Sequence, residues 1–389
     1  MDHQVTLTAK GERWHRSGHP WVYKDDIKEV DSALSGQVVR VKAPNGRPVG
    51  QAFYNAGSKI TLRWLDADPE KPIDQGFWGE RLRAAVALRE RVVRESTAYR
   101  LISSEADGFP GFIVDRYAEV LVLQVLSLGI DRILPLLIEL LTGELHPQAI
   151  VARNDSHIRT LEGLPLEKRV LTGTLPDRIE VKEGSVRTLV DVLEGQKTGA
   201  YLDQRENRLW AGNLRGLGRV LDAFSYQGGF ALHLAPHAQE VLCIEDSELA
   251  IGRLKENVEL NRIRNVRVER DNAFDRLKSL GQAEEKFDLI VLDPPAFAKA
   301  KAEIPGAWRG YREINLRAMH LLKPGGMLIT CSCSYNMSEE DFVSILREAS
   351  SDAHRSARLM ESRTQSRDHP ILLTHPESKY LKCVILEIL

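Results

Sequence analysis

From residue 185 onward the chain alternates short apolar runs with amphipathic segments, and this alternation restricts the fold more than any other feature. The runs fall at 219–224, 240–245, 265–269, 287–293 and 327–332. Runs that are apolar along their whole length suit strands buried on both faces, which implies a parallel sheet. Helical patterns near 230–235, 248–260, 274–280 and 310–322 separate them. The expected fold class is α/β, with a Rossmann-like doubly wound sheet over 185–389. Residues 379–389 read as one more strand, with 357–360 as its hairpin partner.

The preceding chain has a different texture. Up to Trp64 it is strand-like: the run 38–41 leads into the turn signal Pro44-Asn45-Gly46, and 59–64 alternates with period two. Residues 66–72 hold two prolines and four charges, as a linker would, and 84–93 reads as a helix. Between 74 and 183 the spacing predicts a hairpin of 112–117 and 120–125 turning at Ala118-Glu119, a helix over 130–141 and a strand over 149–152. This central α+β segment carries no chemical signature of its own. The expected division is therefore 1–70, 74–183 and 185–389.

Composition excludes several classes. The longest apolar candidate, 120–128, is broken by Gln124 and Ser127, too short for a membrane span. The first residues lack a basic segment followed by an apolar run, so no signal peptide is expected. Four cysteines without a CxxC argue against a disulfide scaffold and against a zinc site. A cytoplasmic protein with no metal is expected. The net charge of −2 argues against a nucleic-acid partner until it is divided by segment: residues 1–64 hold ten Lys+Arg against six Asp+Glu, a local balance of +4.

In a doubly wound sheet, ligands bind at the carboxyl ends of the strands near the topological switch point. The first strand runs out through Asp222, Phe224 and Ser225 to Gly228-Gly229, where glycines let the backbone approach a ligand. The second ends at Glu245-Asp246, where a carboxylate can accept both hydroxyls of a ribose. These features fit a nicotinamide dinucleotide or S-adenosylmethionine. The G-x-G-x-x-G that seats a pyrophosphate is absent, which favours S-adenosylmethionine. Asn272, past the third strand, suits an adenine edge or, taken alone, a helix cap.

After the fourth strand, Asp293-Pro294-Pro295-Ala296-Phe297 forms a stiff loop able to present a carboxylate to a flat base, with Phe297 to stack on it. The fifth strand ends Thr330-Cys331-Ser332-Cys333-Ser334. C5 of a pyrimidine is unreactive until a thiolate adds at C6, so a cysteine here suits cytosine-5 methylation. Asp293 would hydrogen-bond or protonate N3. Strand alternation points Cys331 and Cys333 to one face, and spacing does not choose between them. Both also suit small core positions. His369, in Asp368-His369-Pro370, suits an approach to the site or, better, a surface turn.

The chain resembles the large-subunit (23S) ribosomal RNA cytosine-5 methyltransferases of the RlmI type over nearly its whole length. The resemblance rests on Arg16-Ser-Gly-His-Pro-Trp-Val-Tyr23, Asp107-Gly-Phe-Pro-Gly111, Gln196-Lys-Thr-Gly-Ala-Tyr-Leu-Asp-Gln-Arg205, Phe224-Ser-Tyr-Gln-Gly-Gly-Phe230, Asp293-Pro-Pro-Ala-Phe297 and Thr330-Cys-Ser-Cys-Ser334. It implies an N-terminal RNA-binding PUA domain, a central α+β domain and a class I methyltransferase domain, often as a homodimer. It places Lys197, Thr198, Asp203 and Arg205 near the cofactor. Asp222, Phe224, Ser225 and Gly228 would surround its methionine part, Glu245 its ribose and Asn272 its adenine. It makes Cys333 the nucleophile, with Asp293 beside it and Pro294, Pro295 and Phe297 against the base. In the PUA-like module, Arg13, Arg16, Lys24 and Lys42 are candidates for RNA phosphates, with Trp14 and Trp21 to pack or stack. Two other readings stay open: methylation of a base nitrogen without the cysteine, and a non-catalytic RNA-binding assembly factor.

Overall fold

The computed structural model describes residues 3–298 and 300–389. The chain folds as two compact units. Met1–Val181, Val190–Leu202 and Arg367–Ser378 form the first; Lys182–Leu189, Asp203–Ser366 and Lys379–Leu389 form the second.

The first unit contains a six-stranded sheet in the order Trp21–Tyr23, Ile60–Asp66, Pro48–Tyr54, Val38–Lys42, Gln4–Leu7, Ile27–Asp31. Its alternating residues Val5, Leu7, Val39, Val41 and Leu62 make a buried apolar cluster. A five-stranded sheet follows, in the order Glu167–Gly173, Ala149–Asn154, Val120–Val125, Phe112–Tyr117, Ala98–Ser103. Its hairpin turns at Ala118-Glu119 as expected, with Ala118 at φ 53°. Phe53 and Leu65 of the six-stranded sheet share a core with Trp78, Phe109 and Ile130, so the first two expected modules are fused through common packing. A buried ionic node reinforces this: Arg63 reaches Glu105 at 3.2 Å and Glu162 at 2.9 Å.

Three expectations change here. The helix predicted over 84–93 runs from Gln75 to Val92, because Asp74 caps it by accepting from the Phe77 amide at 3.1 Å. Phe77, Trp78, Leu82 and Ala85 then supply its buried face. Residues 190–202 join this unit because Val190, Val192 and Leu202 pack against Ala98, Tyr117 and Val151. Asp368-His369-Pro370 is not a surface turn. His369 is buried, the Asp368 carboxylate accepts from the Arg100 amide (2.9 Å), and its carbonyl accepts from Arg89 (2.8 Å).

The second unit is built on a seven-stranded sheet: β1 (Leu217–Ala223), β2 (Ala238–Glu245), β3 (Val266–Arg270), β4 (Phe287–Leu292), β5 (Leu322–Ser332), β6 (Ala357–Arg363) and β7 (Lys382–Ile388). Their order is 3-2-1-4-5-7-6. The first five are parallel, and β7 runs antiparallel to both β5 and β6. Adjacent residues of each central strand feed opposite faces. Val220, Val241 and Ile329 pack with α1 (Gly229–Leu234) and with Leu254 of α2 (Glu248–Leu260). Leu221, Ile290 and Leu328 pack with α3 (Ala273–Gln282), α4 (Ile304–Leu321) and α5 (Glu339–Asp352). The expected doubly wound layer is therefore present. β3 departs from the two-sided burial predicted for it, since it is an edge strand with Arg267 and Arg270 exposed. α4 starts at Ile304 rather than 310, with a proline in its first turn, where the missing N–H costs nothing. Among the described residues no helix is long and apolar enough to cross a membrane.

The Asp74 cap gives a direct test of the redrawn helix. Asp74→Ala should cost about 1 kcal/mol, read as a lowered denaturation midpoint. An unchanged midpoint would contradict the assigned cap.

Candidate active site

The strand order reverses at β1, which lies between β2 and β4, and acidic residues gather at the carboxyl ends of these three strands. Asp222 is 1% exposed, and its Oδ2 accepts from the Ala231 amide of α1 at 3.0 Å. Burial, then the charges of Asp293 and Glu245, push its pKa up to about 8 against the pull of that amide. Glu245 is held by the backbone: Oε2 accepts from the Tyr226 amide (2.7 Å), and Oε1 from those of Asp246 (3.1 Å) and Ser247 (3.0 Å). Burial also raises this carboxyl, assisted by neighbouring Asp246. Carboxyl groups that oppose one another's ionisation are relieved by a cation placed among them. S-adenosylmethionine, with its sulfonium and ammonium charges, fits this donor set.

The loop after β1 is bent by positive φ at Phe224 (65°), Tyr226 (49°) and Gly228 (85°). Ser225 fixes the bend. Its hydroxyl donates to the Asp222 carbonyl and accepts from the Ile244 amide at 3.1 Å, so its polar atoms serve the loop's shape. Phe224 meets Phe274 edge-on, with ring centroids 6.1 Å apart. Asn272 caps α3, its side-chain oxygen accepting from the amides of Phe274 (3.0 Å) and Asp275 (3.4 Å). An adenine edge would meet only its nitrogen.

The Gln196–Arg205 motif divides between the units. Lys197 and Thr198 lie in the first. There the Thr198 hydroxyl donates to Asp115 at 2.6 Å and lies 2.9 Å from the Tyr117 hydroxyl, while the Lys197 ammonium sits over the Tyr201 ring at 4.7 Å. Asp203 and Arg205 lie in the second unit, both buried. Asp203 accepts from the Tyr380 hydroxyl at 2.8 Å, and the Arg205 guanidinium lies 3.5 Å from Glu206. Between them is a residue that sequence reasoning gave no role. Gln204 donates to Asp293 Oδ1 at 2.9 Å, accepts from Asn207 at 2.7 Å, and Asn207 accepts from Arg363 at 3.0 Å. The Asp293 carboxylate is thus oriented by a relay of amides.

Beyond Asp293, Pro294 is buried and Pro295 exposed. Phe297 is half-buried, its ring 4.5 Å from Tyr311 and 5.7 Å from Phe274. The two cysteines of the neighbouring strand separate clearly. Cys331 is fully buried opposite Cys383, and burial followed by Cys383 holds its thiol well above the ordinary range. β5 stops at Ser332, so strand alternation does not extend to Cys333. Cys333 is half-buried, with Sγ 3.9 Å from the Pro294 carbonyl.

A parallel-led sheet of order 3-2-1-4-5-7-6, with acidic residues at the ends of β1 and β2, defines a class I methyltransferase domain. Residues 5–67 match the PUA-like domain family, and residues 151–370 match the S-adenosylmethionine-dependent methyltransferase family. The chain is 40% identical, over 100% of both chains, to ribosomal RNA large subunit methyltransferase I of Shewanella amazonensis. It is 38% identical, over 95% of both, to the protein of that name from Aeromonas salmonicida. Its fold is similar to that of a structure described as a SAM-dependent methyltransferase from Streptococcus mutans (TM-score 0.83, 18% identity). It is equally similar to a methyltransferase complexed with SAH (TM-score 0.84, 19% identity); each likeness covers 100% of both chains. The chain belongs to the S-adenosylmethionine-dependent methyltransferase family, alongside the large-subunit methyltransferase I proteins, and its cofactor is S-adenosylmethionine.

The raised Asp222 carboxyl has a consequence for stability. Its folded pKa of about 8 exceeds the ordinary 3.8, so the fold favours the protonated form. That contribution is complete below the unfolded pKa and is lost as pH rises through about 8. In cofactor-free protein, Asp222→Asn should flatten the fall in thermal stability between roughly pH 5 and pH 8. An unchanged slope would contradict the assignment.

Proposed function

We propose that this methyltransferase acts on large-subunit ribosomal RNA and places its methyl group on C5 of a cytosine, with Cys333 as nucleophile. The observation that carries the chemistry is the exit of β5. Of the four cysteines, Cys333 alone is only partly buried, and it stands beside the Asp293-Pro294 loop. The substrate class is supported by the full-length similarity to methyltransferases named for that RNA.

Bound S-adenosylmethionine supplies an electrophilic methyl group. Asp222, Phe224, Ser225 and Gly228 would hold its methionine part, Glu245 its ribose and Asn272 its adenine, with Asp203 and Arg205 of the same unit nearby. The Cys333 thiolate bonds to C6 of the base, and the displaced electron pair makes C5 nucleophilic. Asp293, oriented by Gln204, would in its protonated form hydrogen-bond N3 or pass its proton to it, and so stabilise the adduct. Once C5 carries the methyl, solvent water takes the C5 proton, the C5–C6 double bond reforms and the C6–S bond breaks to release the thiolate. Pro294, Pro295 and Phe297 border the base, which must leave its stack to reach Cys333.

Residues 1–70 serve in this reading as a PUA-like RNA-binding module, 74–183 as a central domain and 185–389 as the methyltransferase domain, apart from 190–202 and 367–378, which pack with the first unit. Within the module, Arg13 and Lys24 are exposed. Arg16 is paired with Glu12 at 2.6 Å, and Lys42 is half-buried, so both offer less to a phosphate. Trp14 is 38% exposed, whereas Trp21 is packed, its indole N–H donating to Glu105 at 2.7 Å.

Two expectations follow. Cys333→Ala should abolish methyl transfer to ribosomal RNA in vitro, while Cys331→Ala should retain it. Methylation by Cys333→Ala would remove the covalent route in favour of a base nitrogen. Replacing Arg13 and Lys24 together by Ala should weaken RNA binding and reduce the slope of log affinity against log salt by about 2. An unchanged slope would place the phosphate contacts elsewhere.

A further inference from the structure

Lys382 opens β7 directly opposite Ser332, the last residue of β5. Lysine is almost never fully buried unless its charge is paired, yet Lys382 is 4% exposed. Its ammonium donates to the carbonyls of Ser334 (2.7 Å) and Tyr380 (2.8 Å), both neutral acceptors. Among the described residues it forms no ion pair with a carboxylate. The Ser334 carbonyl belongs to the residue after Cys333, so the amine is tied to the segment that presents the sulfur.

The charges facing Lys382 come from three elements. Cys333, in its thiolate form, is the strongest favourable partner; Glu339 at the start of α5 comes next, and Lys379 opposes. Glu339 is itself engaged with Lys379 at 2.6 Å, so their influences largely cancel. Burial draws the amine's pKa down to about 8, leaving it mostly protonated at neutral pH. An ammonium kept out of water without a carboxylate is costly to the fold, and a thiolate nearby offsets that cost.

We propose that Lys382 is the positioning residue for the nucleophile: its ammonium group stabilises the Cys333 thiolate, the thiol proton passing to solvent. The proposal rests on the reading of Cys333 as nucleophile. It explains how a cysteine whose sulfur borders the Pro294 carbonyl, a neighbour that opposes a negative charge, becomes reactive. Lys382 does not touch the base in this account; it acts through the sulfur.

The test uses the alkylation rate of Cys333 by iodoacetamide as a function of pH, followed by peptide mass spectrometry on the full chain, with Cys333→Ala as the blank. Lys382→Gln keeps a donor for the carbonyls but removes the charge. Its alkylation midpoint should lie about one pH unit or more above wild type, a roughly tenfold slower reaction near neutrality. An unchanged midpoint in a folded Lys382→Gln protein would overturn the proposal. Should that variant not fold, the wild-type midpoint decides: a value below the ordinary thiol pKa of about 8.5 supports it, and one at or above overturns it. Methyl transfer by Cys333→Ala tests the nucleophile reading separately, because the alkylation midpoints report on the Lys382–Cys333 pair whichever atom is methylated.

Discussion

The end of β1 imposes the constraint on which the catalytic unit depends. Asp222 is closed off from water, and the charges of Asp293 and Glu245 oppose its ionisation. Carboxyl groups gathered at one edge of a sheet are relieved by a positive charge held among them. The sheet order makes the gathering unavoidable, because β1 lies between β2 and β4 and all three strands end on the same side. Ser225, with its two backbone partners, keeps the intervening loop in the shape that brings Glu245 to this edge. A cationic cofactor therefore answers an electrostatic demand already present in the protein.

The reacting edge follows from how β5 ends. Cys331 is the last thiol inside the ladder and is spent on packing against Cys383. Cys333 lies one residue past the ladder, near the Asp293-Pro294 loop on one side and with Lys382 held on the next carbonyl. The antiparallel strand β7, inserted between β5 and β6, is what delivers that lysine. The parallel strands thus organise acceptance of the cofactor, and the antiparallel addition supplies the surroundings of Cys333, the proposed nucleophile.

Much of this was readable from the chain itself. Apolar runs after residue 185 announced the parallel sheet, and the absent G-x-G-x-x-G separated S-adenosylmethionine from a dinucleotide. The choice between Cys331 and Cys333 was not readable from alternation, which holds only while a strand continues, and β5 stops between them. Gln204 and Lys382 were equally invisible, because each acquires its role from a residue far along the chain: Asp293 for one, the segment after β5 for the other. The early start of the helix at Gln75 was masked by Asp66–Pro72, whose prolines and charges resemble a linker up to the capping Asp74. Segments 190–202 and 367–378 belong with the first unit through packing and buried hydrogen bonds that no local pattern encodes.

The measurement that bears most directly on the account is mass mapping of modified nucleotides in large-subunit ribosomal RNA from cells lacking this gene. Cytosine-5 methylation by this enzyme should show as the loss of a single 5-methylcytidine, restored when the intact gene is returned. Loss of a methyl group from a base nitrogen, or an unchanged set of modifications, would contradict it.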